Sequence, residues 1–222
     1  MFQMNPLART GSALLLIGAA TLTCDSLELR EGESLSPSGL QIYVKVAQTD
    51  TSFTAESERG RALNWQLVAA VAAEPPDWKL IRRLQNDAQV QRANFTRAGH
   101  NQMLALLRAF TARDRAIFLK ASFSGPGHRV AVDVLQANAD STDAVRKEIY
   151  DTAECLAHDR SRLEQLLTDI LRLELERQKL SYVWSAGVDA SLSPSERITT
   201  LRKRYPRGGP PPILRVVPKP VP

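Results

Sequence analysis

Hydrophobic and polar positions alternate with a helical period over much of the chain. Residues 56–73 crowd apolar side chains together, and Pro75 and Pro76 then break the pattern. Because proline disfavours helical backbone in the residue before it, we predict that a helix ends just before this pair.

A second helical pattern follows this break. Asp77 is a favourable N-cap, and apolar or small residues then recur at intervals of three and four through 78–98. Gly99 interrupts the pattern, which resumes and continues to Ile117. The sequence therefore predicts either one long helix bent at Gly99 or two helices.

The last long helix carries a repeat of seven residues. Its large apolar members, which we call the seam, are Ile149, Leu156, Leu163, Leu166, Ile170, Leu173 and Leu180. This spacing is typical of a coiled coil or an antiparallel helical hairpin. Polar residues interrupt the repeat elsewhere, so we expect a strong seam only over 163–173. It either docks a partner or packs within its own chain.

Polar clusters suggest where this helix and its neighbours begin. The four residues 140–143 combine aspartate, serine and threonine, and they predict an N-cap before the last long helix. Gly125, Pro126 and Gly127 separate residues 116–123 from 129–135. These flanks form either a hairpin or two helices broken at the glycines, and the helical patterns on both sides favour the break.

The segment before residue 56 lacks a helical period. Residues 41–47 are rich in β-branched side chains and alternate in polarity, between a Ser-Pro-Ser-Gly run and a Thr-Asp-Thr-Ser run. This pattern predicts one strand or an extended segment within 24–55. We therefore predict a mainly α fold: an antiparallel bundle or hairpin over 56–187, a short extended N-terminal segment and a disordered proline-rich tail over 188–222.

The N-terminus resembles an export signal. One positive charge precedes an apolar run of about ten residues, which is shorter than the ~20 residues needed to span a bilayer. We predict that 1–23 is a signal peptide or a membrane-associated segment. Cys24 is a candidate for lipidation, although the residues before it match a lipoprotein box only loosely.

The charge of the 222-residue chain is unevenly distributed. Its net charge is +5, yet all 24 acidic residues fall within 24–196, which carries a slight excess of acid. The basic excess lies at the C-terminus, beside seven of the 13 prolines. Its candidate contacts with an anionic surface, either lipid or cell-wall polymer, are Arg202, Lys203, Arg204, Arg207, Arg215 and Lys219.

Catalytic signatures are weak. The sequence contains no phosphate-binding loop or nucleophile motif, so we predict no catalytic residues, cofactor or metal. Glu154, Cys155 and His158 are the one set that could hold a metal with help from another helix. The tryptophans do not adjoin clustered basic residues in the sequence, so no nucleic-acid partner is expected.

These patterns favour a non-enzymatic exported envelope protein, periplasmic or membrane-anchored. It would dock a protein partner through the seam and an anionic surface or second partner through the basic tail. The alternatives are a membrane-associated subunit of a large assembly and an exported helical metal-binding protein or enzyme.

Overall fold

The computed structural model describes residues 33–125 and 133–206, which fold into eight helices without a strand. The helices are α1 (Pro37–Thr49), α2 (Thr51–Ala72), α3 (Trp78–Ala109), α4 (Ala112–Phe123), α5 (Asp133–Asp151), α6 (Ala153–Leu156), α7 (Arg160–Ser191) and α8 (Pro194–Arg204). The mainly α class predicted from the sequence is confirmed.

The long helices α3 and α7 form an antiparallel pair. Arg108, near the end of α3, pairs with Glu164, near the start of α7, at 2.8 Å between Nε and Oε1. At the opposite end, the Tyr182 hydroxyl donates to Asn86. At 1.5 Å per residue, each of these 32-residue helices is about 48 Å long, so the pair runs the length of the described body.

Two apolar clusters stabilise opposite ends of this body. The leucine core contains residues of the five helices α3, α4, α5, α6 and α7. Its buried members are Leu107, Leu119, Phe123, Ile149, Ala153, Leu156, Leu163, Leu166, Leu167 and Ile170. The hairpin core joins α2, α3 and α8, and its buried members are Leu67, Ala70, Val71, Ile81, Leu84 and Leu201. Burial of such side chains is the main favourable contribution to folding.

Of the two alternatives for this region, the structure has two helices, and they are separated after Ala109 and not at Gly99. Helix α3 continues through Gly99, where an added Cβ would lie 3.3 Å from Phe53 Cε2, so the glycine serves close packing of α2. Phe110 and Thr111 connect the two helices. The Thr111 hydroxyl caps α4 by accepting from the Asp114 amide at 3.1 Å. The apolar pattern that continues to Ile117 therefore belongs to two helices, and the second begins at a threonine N-cap.

The strand predicted over 41–47 is wrong, since these residues lie in α1. The Ser-Pro-Ser-Gly run interpreted as a strand boundary starts the helix instead. The Ser36 hydroxyl accepts from the Gly39 amide at 3.0 Å, and Pro37 occupies the first helical position. Tertiary packing overrides the β-propensity of the segment.

Asp114 ties α1 to α4. Its buried carboxylate accepts from the Ser36 amide at 2.7 Å and from the Ser36 and Thr111 hydroxyls, each at 2.8 Å. Burial alone would raise the pKa of Asp114, but these hydrogen bonds and the charge of Arg113 outweigh it, so the pKa lies below its usual value.

Arg115 is a buried cation whose partners are helix-terminal carbonyls. Its guanidinium donates to Leu107 O at 2.6 Å, to Phe110 O at 2.8 Å and to Ala157 O. Burial, followed by the charge of Arg160, lowers the pKa of Arg115 from its ordinary value. The cation complements the negative C-terminal end of α3 and locks that end onto the loop after α6.

The cap predicted at 140–143 is also wrong, because these residues lie within α5. The Ser141 and Thr142 hydroxyls bond back to the carbonyls four residues earlier, at 2.8 and 2.9 Å. The cap of the last long helix is Asp159, whose side chain accepts from the Arg162 amide at 2.9 Å. The described residues on either side of Gly125, 116–123 and 133–135, are helical. This agrees with the helix break that the sequence favoured.

The predicted tail over 188–222 is partly folded. Residues up to Ser191 complete α7, and α8 begins with a capping box in which Ser193 and Glu196 satisfy each other's backbone amides. Leu201 anchors α8 in the hairpin core with 1% of its surface exposed. The predicted segment 1–23, together with Cys24, Arg207, Arg215 and Lys219, lies outside the described residues.

Candidate functional site

A groove of about 760 Å³ lies where α3, α7 and α8 meet, at the end of the α3–α7 pair away from the leucine core. Four of its lining residues are arginines: Arg82, Arg92, Arg197 and Arg204. Four more are aromatic: Trp78, Tyr182, Trp184 and Tyr205. Its volume falls in the range usual for sites that bind small molecules.

Helix α3 supplies one wall because it is amphipathic along this part of its length. Ile81 and Leu84 are buried in the hairpin core. Residues spaced three or four apart on an adjacent face line the groove instead: Trp78, Arg82, Gln85, Gln89 and Arg92. The spacing that builds the hairpin core therefore also builds the polar wall.

Small and hydroxyl-bearing residues of α7 supply the opposite wall. The first half of α7 carries buried leucines. The second half instead contributes small and hydroxyl-bearing residues to the groove: Ser181, Ser185, Ala186 and Ala190. The Tyr182 hydroxyl donates to the Asn86 carboxamide across the groove. The large side chains that this part of α7 contributes to the lining are those of Tyr182 and Trp184.

Arg197 fixes α8 against both walls. Its guanidinium lies 5.7 Å from the ring centre of Trp78, within cation–π range, and donates to Leu192 O at 3.1 Å. Its Nε is buried and has no hydrogen-bond partner within the described part of the chain. The site therefore retains an unused donor.

Asp189 contributes the one carboxylate among the described groove residues. Its side chain is 13% exposed, and its Oδ2 lies 3.4 Å from Arg204 Nη1. Its other oxygen, Oδ1, is buried without a partner among the residues that the structure covers. A buried acceptor of this kind normally requires a partner, which a bound polar group would supply.

Arg82 and Arg92 are the free cations of the groove. Neither guanidinium has an ion-pair or hydrogen-bond partner within residues 33–125 and 133–206. With four arginines against one aspartate, the groove has an excess of three positive charges over its described lining. It therefore attracts anions, and the planar guanidinium groups suit paired hydrogen bonds to carboxylate or phosphate.

A second cavity, of about 550 Å³, is lined by residues of α1, α2, α3, α4, α5 and α7. Its lining is rich in aromatic residues, and the Phe53 and Phe95 rings pack with centres 4.6 Å apart. Burial lowers the pKa of His100, which lines this cavity, from the ordinary value of 6.5. The cavity offers an apolar surface with few polar groups.

The seam is divided among three helices. Ile149 lies on α5, Leu156 on α6 and the other five on α7. Six of the seven are buried in the chain's own structure, at 0 to 7% exposure, and Leu180 is half-buried. In this structure these side chains stabilise the chain's own fold, and docking of a partner through the seam stays a prediction. The predicted strength over 163–173 is confirmed, since every buried residue of α7 falls in that range.

The six basic residues predicted to touch an anionic surface differ in their surroundings. Arg202 pairs with Glu74 at 3.1 Å, and Arg204 lies against Asp189, so both help to hold α8 in place. Lys203 is exposed. The remaining three lie beyond the described residues, as does the lipidation candidate Cys24.

The three residues that the sequence offered as possible metal ligands, Glu154, Cys155 and His158, do not lie on one continuous helix. Helix α6 ends at Leu156, so Glu154 and His158 do not share a helix face, and Glu154 pairs with Lys120 at 3.3 Å. Across the described ranges, no group of three histidine, cysteine, aspartate or glutamate side chains is placed to hold a metal. No helix in the same ranges is long and apolar enough to cross a membrane.

Sequence reasoning missed the groove because its arginines are dispersed along the chain. Trp184 has no basic residue within four positions in sequence, and the arginines that share its groove come from α3 and α8. The spacing of Trp78, Arg82, Gln85, Gln89 and Arg92 was the available signal. Only the antiparallel pairing with α7 turns that spacing into a site.

The chain matches no protein-family model, no curated protein and no solved structure.

Proposed function

We propose that this protein is a non-enzymatic, exported envelope protein that acts as an interaction module and binds an anionic partner in the α3–α7–α8 groove. One observation carries the proposal. Arg82 and Arg92 line a groove rich in aromatic residues, and neither has a partner among the described residues. Both guanidinium groups are exposed, so they are accessible to an anion, and several cations along one groove attract it.

The leader supports the exported location. A single positive charge, an apolar run and then small residues are the features of a secretory signal, and Cys24 would offer a lipid attachment point. The anionic partner is then a component of the envelope, such as an acidic protein, a cell-wall polymer or a lipid surface. The basic residues after α8 would extend the contact.

The experiment is fractionation of the producing cells combined with a measurement of the intact mass of the native chain. We expect a mature chain that lacks the leader and enriches with the envelope. Salt should release it, because contacts between exposed charges weaken as ionic strength rises. Full-length, uncleaved chain in the soluble cytoplasm would refute the proposal.

A second candidate, a membrane-associated subunit of a larger assembly, is favoured by the surface of α1. Leu40, Tyr43 and Val44 are 42 to 48% exposed on one side of this helix, while Ile42 and Val46 are partly buried on the other. Apolar side chains exposed together on one face of a helix are typical of a contact surface. A retained leader, seen as a mass that begins at Met1 or Phe2, would support this candidate over the first.

A further inference from the structure

The groove extends well beyond the size of a single small ion. Along α3 it runs from Trp78 to Arg92, a distance of about 21 Å at 1.5 Å per residue. Its volume of about 760 Å³ leaves room for several linked units. An elongated ligand therefore fits this site better than a free anion does.

Aromatic faces lie along the groove. Trp184 is 45% exposed, and Tyr182 and Tyr205 are partly exposed. Electron-rich ring faces attract the weakly positive C–H groups on the flat side of a sugar ring. Because amides, hydroxyls and arginines surround these rings, the groove is too polar for the apolar side of a peptide helix.

The two free cations are spaced along the same wall. Arg82 and Arg92 are ten residues apart on α3, about 15 Å along the helix axis. A ligand with several separated negative groups therefore suits this spacing better than one small anion does. A chain that carries a carboxylate on successive units would place separate carboxylates against each.

The remaining polar groups are suited to hydroxyls. Gln85 and Gln89 have side chains without hydrogen-bond partners in the part of the chain that the structure covers, and each offers both a donor and an acceptor. Asp189 Oδ1 is an acceptor without a partner. A carboxylate repels a plain polyanion but accepts hydrogen bonds from sugar hydroxyls. Because this oxygen is covered in the empty groove, a small rotation of the side chain would accompany binding.

We propose that the groove binds a carboxylated oligosaccharide, whose rings stack on Trp184, whose carboxylates pair with Arg82 and Arg92, and whose hydroxyls bond to Gln85, Gln89 and Asp189. This inference rests on the proposed function and names the chemistry of its anionic partner. It goes further because it requires sugar rings and hydroxyls in addition to negative charge.

The test is calorimetric titration of the full chain with four probes of matched length. They are a tetramer of galacturonic acid, its fully methyl-esterified form, tetraglutamate and a pyrimidine tetranucleotide. We expect the acidic sugar to bind at least about tenfold more tightly than each of the other three, because it alone combines sugar rings with carboxylates. Equal or tighter binding of tetraglutamate or the nucleotide, or no binding of the acidic sugar, would overturn the inference.

Matched variants locate the contact. Trp184→Ala should weaken binding of the acidic sugar by about tenfold, whereas Trp65→Ala should leave it unchanged. Trp65 is a suitable control because it is 43% exposed on α2 and lies outside the groove. Equal effects of the two substitutions would contradict the assignment of the groove.

A pair of substitutions at Asp189 distinguishes a glycan from a general polyanion. Asp189→Asn and Asp189→Leu both remove the negative charge, but asparagine keeps one oxygen that accepts a hydrogen bond. If sugar hydroxyls bond to this side chain, Asp189→Leu should bind the acidic sugar several-fold more weakly than Asp189→Asn does. Equal binding by the two variants would overturn the glycan inference and leave the anionic-partner function standing, whereas a cytoplasmic, uncleaved chain would refute that function whatever the titrations gave.

Discussion

The same antiparallel pair of helices forms a closed core at one end and an open groove at the other. Near the start of α7, Leu163, Leu166 and Leu167 are at most 3% exposed and pack in the leucine core. Toward its end, Ser181 and Ser185 face the amides and arginines of α3 across the groove. The backbone pairing is shared, so the side chains account for the difference.

This contrast separates residues that hold the fold from residues that are available for binding. At the leucine end, the buried guanidinium of Arg115 donates to helix-terminal carbonyls. The groove end leaves Arg82 and Arg92 unpaired and Asp189 Oδ1 without a partner among the described residues. Substitutions at the first end should therefore change the free energy of unfolding, and those at the second should change binding.

The largest expected effect is the loss of a core leucine. Leu166→Ala should lower the free energy of unfolding by about 2 to 5 kcal/mol, because the side chain is 3% exposed and its removal leaves a cavity. Val183→Ala, on the same helix but 60% exposed, should change it by less than about 0.5 kcal/mol. Urea denaturation measures both. Similar losses of unfolding free energy for the two variants would contradict the difference in packing between the two ends of α7.

The anchor of α1 should produce a pH-dependent effect. Asp114→Asn should lower the free energy of unfolding at pH 7 by about 1 to 3 kcal/mol, because the buried hydrogen bonds to Ser36 and Thr111 are weakened. The pKa of Asp114 is below 3.8 in the folded chain, so its stabilisation is present above about pH 4 and is lost as pH falls through the folded-state value.

The variant should therefore lose less stability than the native chain between pH 5 and pH 2, in denaturation curves recorded across that range. Glu58→Gln is the control, because the Glu58 side chain is 65% exposed on α2 and lies 3.8 Å from Arg61 Nη2. A native-like acid dependence in Asp114→Asn would exclude Asp114 as the source.

Two glycines should respond oppositely to the same substitution. An added Cβ at Gly39 would lie 2.6 Å from Asp114 Cγ, so Gly39→Ala should destabilise the chain by about 1 to 3 kcal/mol. Gly187, in α7, has nothing within 4 Å of the same position. Gly187→Ala should stabilise the chain by about 0.5 to 1 kcal/mol through helix propensity. Thermal unfolding compares them, and effects of the same sign would contradict the packing described for α1.

The smallest expected effect on stability is at the groove arginines. Arg82→Gln and Arg92→Gln should each change the free energy of unfolding by less than about 0.5 kcal/mol, because neither guanidinium has a partner among the described residues. Chemical denaturation would check this. A loss comparable with that of Leu166→Ala would assign these arginines to the fold.

Periodicity in the sequence was sufficient to predict the mainly α class, the cap at Asp77 and the extent of burial on α7. It could not predict α1, because β-branched residues within 41–47 gave a strand-like pattern that the contact between Gly39 and Asp114 overrides. The cap of α7 was misplaced because Ser141 and Thr142 bond within α5. The groove combines three helices far apart in the chain, so no local pattern contains it.

The central claim is that the polar end of the α3–α7 pair is a binding site, and the tryptophan indoles test it most directly. Trp184 and Trp65 have nearly equal exposure, 45 and 43%. Trp184 and Trp78 line the groove, whereas Trp65 does not. Addition of galacturonic acid tetramer to the 15N-labelled chain should shift the indole N–H signals of Trp184 and Trp78 and leave that of Trp65 in place. Equal shifts of all three signals, or none, would contradict the claim.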